Sequence, residues 1–208
     1  MRKSRAETAE TRKHIIQIAS KMFKSNGIGA TGVGEIMVAA GLTHSAFYRH
    51  FASKEELVSE ASSASIGVFV KAAEEAMAAG PNAFTNYLQN YLSSEYRNGE
   101  LGGCPVVQTG GELALADAPV RQGVSDGLER LLEIALNLTD GSPEAEAETI
   151  FTMSAIVGAI TIARLINNPQ LSEHIIEVAK RRVAFRPDQS SKRPESATKR
   201  HRVTAHAS

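Results

Sequence analysis

The stretch Thr31-Gly-Val-Gly-Glu-Ile-Met-Val-Ala-Ala-Gly41-Leu-Thr-His-Ser-Ala-Phe-Tyr-Arg-His-Phe51 decides the fold. It reads as two short helices joined by a tight turn, an arrangement that lets the second helix enter the major groove of DNA. Thr31 is placed to cap the first helix, its hydroxyl accepting from a free N–H of the first turn. Ile36, Val38, Ala39 and Ala40 give that helix a small apolar surface. Gly41 supplies the turn, since a left-handed backbone is inexpensive only without a Cβ. Thr43 is placed to cap the second helix. Leu42, Phe47 and Phe51 point inward, the two phenylalanines as an i,i+4 pair. The outward face is left to His44, Ser45, Ala46, Tyr48, Arg49 and His50, rich in donors and almost free of bulky aliphatic groups.

Just downstream, Ser53-Lys-Glu-Glu56 spells a capping box, with Ser53 as the cap and Glu56 reaching back to it. A new helix therefore starts two residues after Phe51. Lys54 sits in its first turn, where a cation opposes the helix dipole. A DNA phosphate at that helix end would offset the conflict.

These residues together carry a resemblance. Ala30-Thr31-x-Val33-x-x-Ile36, then Ala40-Gly41-Leu-Thr43, then Phe47-Tyr-Arg-His-Phe51-x-Ser53-Lys54-Glu55-x-Leu57 is similar to the N-terminal domain of the tetracycline repressor (TetR/AcrR) family of bacterial transcription regulators. The likeness is tight over about residues 8 to 60; the rest agrees only in length and helical pattern. Gly34 and Met37 depart from it, Gly34 at about 1 kcal/mol of helix propensity against alanine. The resemblance implies an all-α protein with a three-helix DNA-binding domain over 6–52 and a helical effector-binding and dimerisation domain over 53–185. It implies a homodimeric repressor on a palindromic double-stranded DNA operator. A small effector in the larger domain would tilt the helix that starts at Ser53. By resemblance and by the outward face, His44, Ser45 and Ala46 meet base edges. Thr31, Thr43, Tyr48, His50 and Lys54 hold phosphates, with Arg49 on the same face.

Charge agrees with that division. Net charge is zero over 208 residues, but residues 1–60 hold nine basic against six acidic side chains, and residues 61–185 hold eight against fifteen. Residues 186–208 hold six against two and lack an apolar period, so they read as a disordered basic tail. Nucleic acid is expected at the N-terminal part, with the acidic body held away. The N-terminus Met-Arg-Lys-Ser-Arg has no apolar signal core and no run of 18 apolar residues appears, so a cytoplasmic protein without a membrane span is expected.

The remaining helices follow from period and punctuation. The first runs from about Ala6 to Asn26, with Ile15, Ile18, Ala19, Met22 and Phe23 on one face. The helix from Ser53 ends near Ala79, before Gly80-Pro81, and a single helix is expected from Asn82 to about Tyr96. Others start at Cys104-Pro105, Asp117, Ser142-Pro143 and Ser172, the last with a hydrophobic staple between Leu171 and Ile176 and an end near Phe185. The helix after Ser142 is apolar nearly all round and rich in small residues, which suits a two-fold interface with its mate.

Chemistry outside the DNA face is sparse. Cys104, the lone cysteine, stands at a helix N-terminus, where a thiolate and a redox-sensing or nucleophilic role are conceivable. The histidines at 14, 44, 50, 174, 201 and 206 lack metal-ligand spacing. No phosphate loop or nucleophile elbow appears, so neither a cofactor, a metal nor an enzyme is expected. Apolar faces on several helices suggest an effector pocket at Phe69, Tyr87, Tyr91, Cys104, Val107, Gln108, Leu128 and Met153. Tyr91 and Gln108 would orient the ligand, and the acidic domain would favour a neutral or cationic one. The alternative is an effector-free activator or architectural DNA-binding protein.

Overall fold

Prolines and small polar caps punctuate the chain into helices, and the computed structural model describes residues 5–98 and 103–183. The basic tail 186–208 and the end near Phe185 lie outside the described residues. All regular structure among the described residues is helical: α1 (Arg5–Asn26), α2 (Val33–Ala39), a 3-10 helix (His44–Arg49), α3 (Lys54–Ala78), α4 (Pro81–Tyr91), α5 (Ser94–Asn98), α6 (Pro105–Ala114), α7 (Ala118–Leu136), α8 (Pro143–Leu165) and α9 (Pro169–Arg182). Ser53, Cys104, Ser142 and Asn168 each accept a backbone N–H at a helix start.

Several boundaries differ from the sequence expectation. The cap of α2 is Gly32, and Glu35 reaches back to its N–H at 2.8 Å. Thr31 instead turns inward, fully buried, and its hydroxyl donates to Gly27 O at 2.6 Å. The box at α3 is offset by one residue, because Glu56 accepts from Ala52 N rather than from Ser53. The expected helix from Asn82 to Tyr96 is broken into α4 and α5, with Leu92 fully buried at the break. Asn168, not Ser172, starts α9; Ser172 is buried and donates to Ala163 O at 2.6 Å. Leu171 is exposed, so the staple does not form.

One core holds the N-terminal head. Ile15, Ala19, Phe23, Ile36, Met37, Phe47 and Phe51 pack with Leu57, Val58 and Ala61 of α3 and with Leu113 of α6 and Val120 of α7. Met37 fills the place expected for Val38, which is 75% exposed. A 3.6-residue period puts 36 and 37, not 38, on the side facing α1. Two further clusters hold the body, one around Leu92, Ile156, Ile160 and Ile176, the other around Ala73, Phe84, Ile134 and Ala135. The two long helices α3 and α7 lie very close. A Cβ at Gly123 would overlap Ser63, and one at Gly127 would crowd Ile66, so these glycines permit the approach.

By length and composition alone α8 could cross a membrane, which the sequence reading did not expect. In the fold, Thr149, Thr152, Ile156, Ile160 and Ala163 are buried within the bundle. Ile150, Phe151, Ile162 and Leu165 remain exposed on its other side.

Candidate nucleic-acid interface and effector cavity

The reading element is a single short 3-10 helix rather than an α-helix. Thr43 precedes it, but its hydroxyl lies 3.2 Å from Ser45 Oγ and makes no cap to the backbone. Just beyond the helix, Phe51 N donates to Phe47 O at 3.1 Å, and the two rings stack at 5.4 Å inside the head. Gly41, at φ +70°, turns the chain between the two helices. Thr43, His44, Ser45, Tyr48 and Arg49 are exposed, Tyr48 to 67%.

Four of the expected contacts stand differently. Ala46 is half-buried against the head core, and His50 is half-buried at its edge. Thr31 is enclosed and cannot reach a phosphate. Lys54 donates to Ile28 O, a carbonyl of the α1–α2 loop, at 2.8 Å.

Arg12 fixes the reading element to the head, and no sequence period singled it out. Its Nε donates to His50 O at 3.0 Å and its Nη2 to Glu56 Oε1 at 2.8 Å, while Nη1 bonds Glu60. The guanidinium also lies 4.4 Å from the centre of the Phe51 ring. One planar cation thus ties α1, the end of the 3-10 helix and α3 together.

In the body, α3, α4, α6, α7 and α8 surround an apolar cavity of about 70 Å³. Phe69, Tyr87, Tyr91, Cys104, Leu128 and Met153 line it, together with Phe84, Val106 and Ile156. Val107 and Gln108 are not among the lining residues. Because α6 starts at Pro105, Val106 turns inward and Val107 packs with Leu92 and Ile156. The Tyr87 hydroxyl donates to Phe69 O at 3.2 Å. Burial pushes the phenols of Tyr87 and Tyr91 well above their ordinary range.

Cys104 does not carry the thiolate that its position suggests. Val107 N donates to its Sγ at 3.4 Å, which favours the anion, but burial outweighs this and pushes the thiol up. Burial thus counts against a thiolate at this position.

Helix α6 connects cavity and head. Its first turn carries Cys104 and Val106 to the cavity, and its last places Leu113 in the head core. Beside Leu113, the Glu112 carboxylate accepts from Ile28 N at 2.9 Å and Gly29 N at 2.6 Å, in the loop between α1 and α2. Pattern reading missed Glu112, since its partners are backbone groups more than eighty residues away.

A family model described as "Bacterial regulatory proteins, tetR family" matches residues 15–61. The HTH-type transcriptional regulator AcrR of Shigella flexneri is 46% identical over 59 residues, 28% of this chain and 27% of that protein. A TetR transcriptional regulator from Chloroflexus aurantiacus has the same fold across 86% of this chain and 97% of its own, at a TM-score of 0.69 and 23% identity. Residues 15–61 thus match the DNA-binding domain of the tetR family, and the chain as a whole has the fold of a TetR regulator. Escherichia coli NemR in its reduced form shares this TetR-family fold at a TM-score of 0.72 and 19% identity, over 84% of this chain and 95% of that one. The HTH-type transcriptional repressor KstR2 of Mycolicibacterium smegmatis is 38% identical over 55 residues, 26% of this chain and 27% of that protein. The match to AcrR and KstR2 thus spans about a quarter of their length.

Proposed function

We propose that this chain is a homodimeric transcriptional repressor that leaves a palindromic operator when a small, mostly apolar effector enters the cavity. The observation that carries the reading is α6, whose two ends belong to the cavity wall and to the head core. A molecule that spreads the cavity displaces Val106, and with it Leu113 and Glu112. A switch from 99:1 to 1:99 requires about 5.5 kcal/mol of differential affinity between the two states. The exposed apolar side of α8 supports a two-fold mate, since Phe151 and Leu165 gain most from being covered. Two heads related by that axis would read two half-sites about one DNA turn or a multiple apart. Covering α8 with a second copy also accounts for its apolar character without a membrane.

Within the head, His44 and Ser45 are assigned to base edges, and Thr43, Tyr48 and Arg49 to phosphates. The test is footprinting on the promoters flanking the gene, followed by titration of the protected fragment at several salt concentrations. Arg49→Ala should weaken binding to all sequences and lower the salt slope by about one. His44→Ala should change base preference while keeping the slope. Sedimentation should give a dimer at micromolar concentration. Intact promoter binding in both variants, or a monomer, refutes the reading.

A further inference from the structure

A second cleft lies beside the apolar cavity and shares Phe69 and Tyr87 with it. It encloses about 110 Å³ between the head and the body, walled by Ser20 and Lys24 of α1, Ser65 of α3, Tyr96 of α5 and Gly103. The two spaces are chemically unlike. No charged side chain lines the apolar cavity, whereas the cleft holds a lysine and three hydroxyl-bearing residues in addition to Tyr87.

Two of these groups are left without partners. Lys24 is half-buried, and among the described residues it makes neither an ion pair nor a hydrogen bond. Burial works against its charge most strongly, Cys104 acts in its favour, and the neighbouring Lys21 again works against it, the net direction being downward. Ser65 is buried, and its hydroxyl has no hydrogen-bond partner. That is unusual for a hydroxyl on a helix, which ordinarily donates to the carbonyl four residues back. Thr109, Thr149 and Thr161 do so here, at 2.7 to 2.8 Å. A buried hydroxyl without a partner, in the same cleft as a half-buried cation, is costly unless something occupies that cleft.

We propose that this cleft is an anion site, taking the carboxylate of an amphipathic organic acid whose apolar body extends past Phe69 and Tyr87 into the cavity. The inference rests on the reading of that cavity as an effector site and names the class of effector. A carboxylate accepts a charge-assisted bond from Lys24 and a second bond from the Ser65 hydroxyl. The acidic balance of the body had suggested a neutral or cationic ligand, but at contact distance in a half-buried cleft the nearest charges decide. Lys24 belongs to α1, so an acid held there touches the head and the body at once.

The test is calorimetric titration of the full chain with paired acids and amides: benzoate and benzamide, phenylbutyrate and phenylbutyramide, octanoate and octanamide. At least one acid should bind about tenfold more tightly than its amide. Lys24→Met should level the pair while leaving the amide's affinity unchanged, which also shows that the variant is folded. Ser65→Ala should weaken the acid about two- to fivefold. Acid and amide binding alike in the unmodified protein overturns the anion site alone. A preference that survives Lys24→Met overturns it as well. If no acid and no amide binds, the cavity reading falls together with it.

Discussion

The head and the body of this molecule are packed to different standards. In the head, Ile15, Ile36, Met37, Phe47, Phe51 and Leu57 meet with at most 2% of any side chain exposed. In the body, Phe69, Phe84 and Tyr91 surround empty space. A reader must present a rigid surface to DNA while its inner side fills a small core, so few substitutions fit both demands. The body need only keep its helices in place around whatever it holds, and its side chains are free to differ.

The largest effect should come from testing this contrast directly. Phe47→Ala is expected to cost about 3–5 kcal/mol, whereas Phe69→Ala, whose ring already borders a void, should cost roughly half as much. Urea unfolding of both variants measures the difference, and equal losses would erase the distinction. Next in size is the link between the halves. Glu112→Ala removes two hydrogen bonds at an exposed site and should cost about 1 kcal/mol. It should also speed hydrogen exchange at Ile28 and Gly29 and blunt the release of DNA by an effector. Unchanged exchange at those amides would show that α6 reaches the head through Leu113 alone.

The smallest effect is one of slope. Burial raises the Cys104 thiol and the Tyr87 and Tyr91 phenols in the folded state above their unfolded values. Their contribution to stability is therefore complete below the thiol's ordinary value of 9.0 and is lost as pH rises above it toward the folded values. Unfolding midpoints should fall across that alkaline window, less steeply in Cys104→Ser. Iodoacetamide should label the folded thiol more than about tenfold more slowly than the unfolded one. A rapidly labelled thiol in the folded chain would return Cys104 to the list of reactive groups.

How much was legible in the sequence follows from the range of each interaction. Gly41, Phe47, Phe51, Ser53 and Ser142 were readable because turn, cap and period are local signals. The register of α2 was misread by one residue, since seven residues hold too few turns to separate Val38 from Met37. The break before α5 was missed because Leu92 ends α4 by sinking into a cluster with Ile156, Ile160 and Ile176, distant in sequence. The same holds for the cavity. Phe69, Tyr91 and Met153 could be gathered as apolar faces, but the roles of Arg12, Lys24, Ser65 and Glu112 arise from partners that only the fold supplies.

The presence of Leu113 and Val120 in the head core bears on how such regulators can be recombined. A chimera that joins this reader to a foreign sensor at residue 61 would strip two buried side chains from the reader's interior, and one joined at residue 52 would also lose Leu57, Val58 and Ala61; either leaves the loop at Ile28 without its carboxylate. The exchangeable cassette is discontinuous. It consists of the first sixty or so residues together with the end of α6 and the start of α7, and a graft that carries both should keep its grip on DNA where the contiguous one loses it.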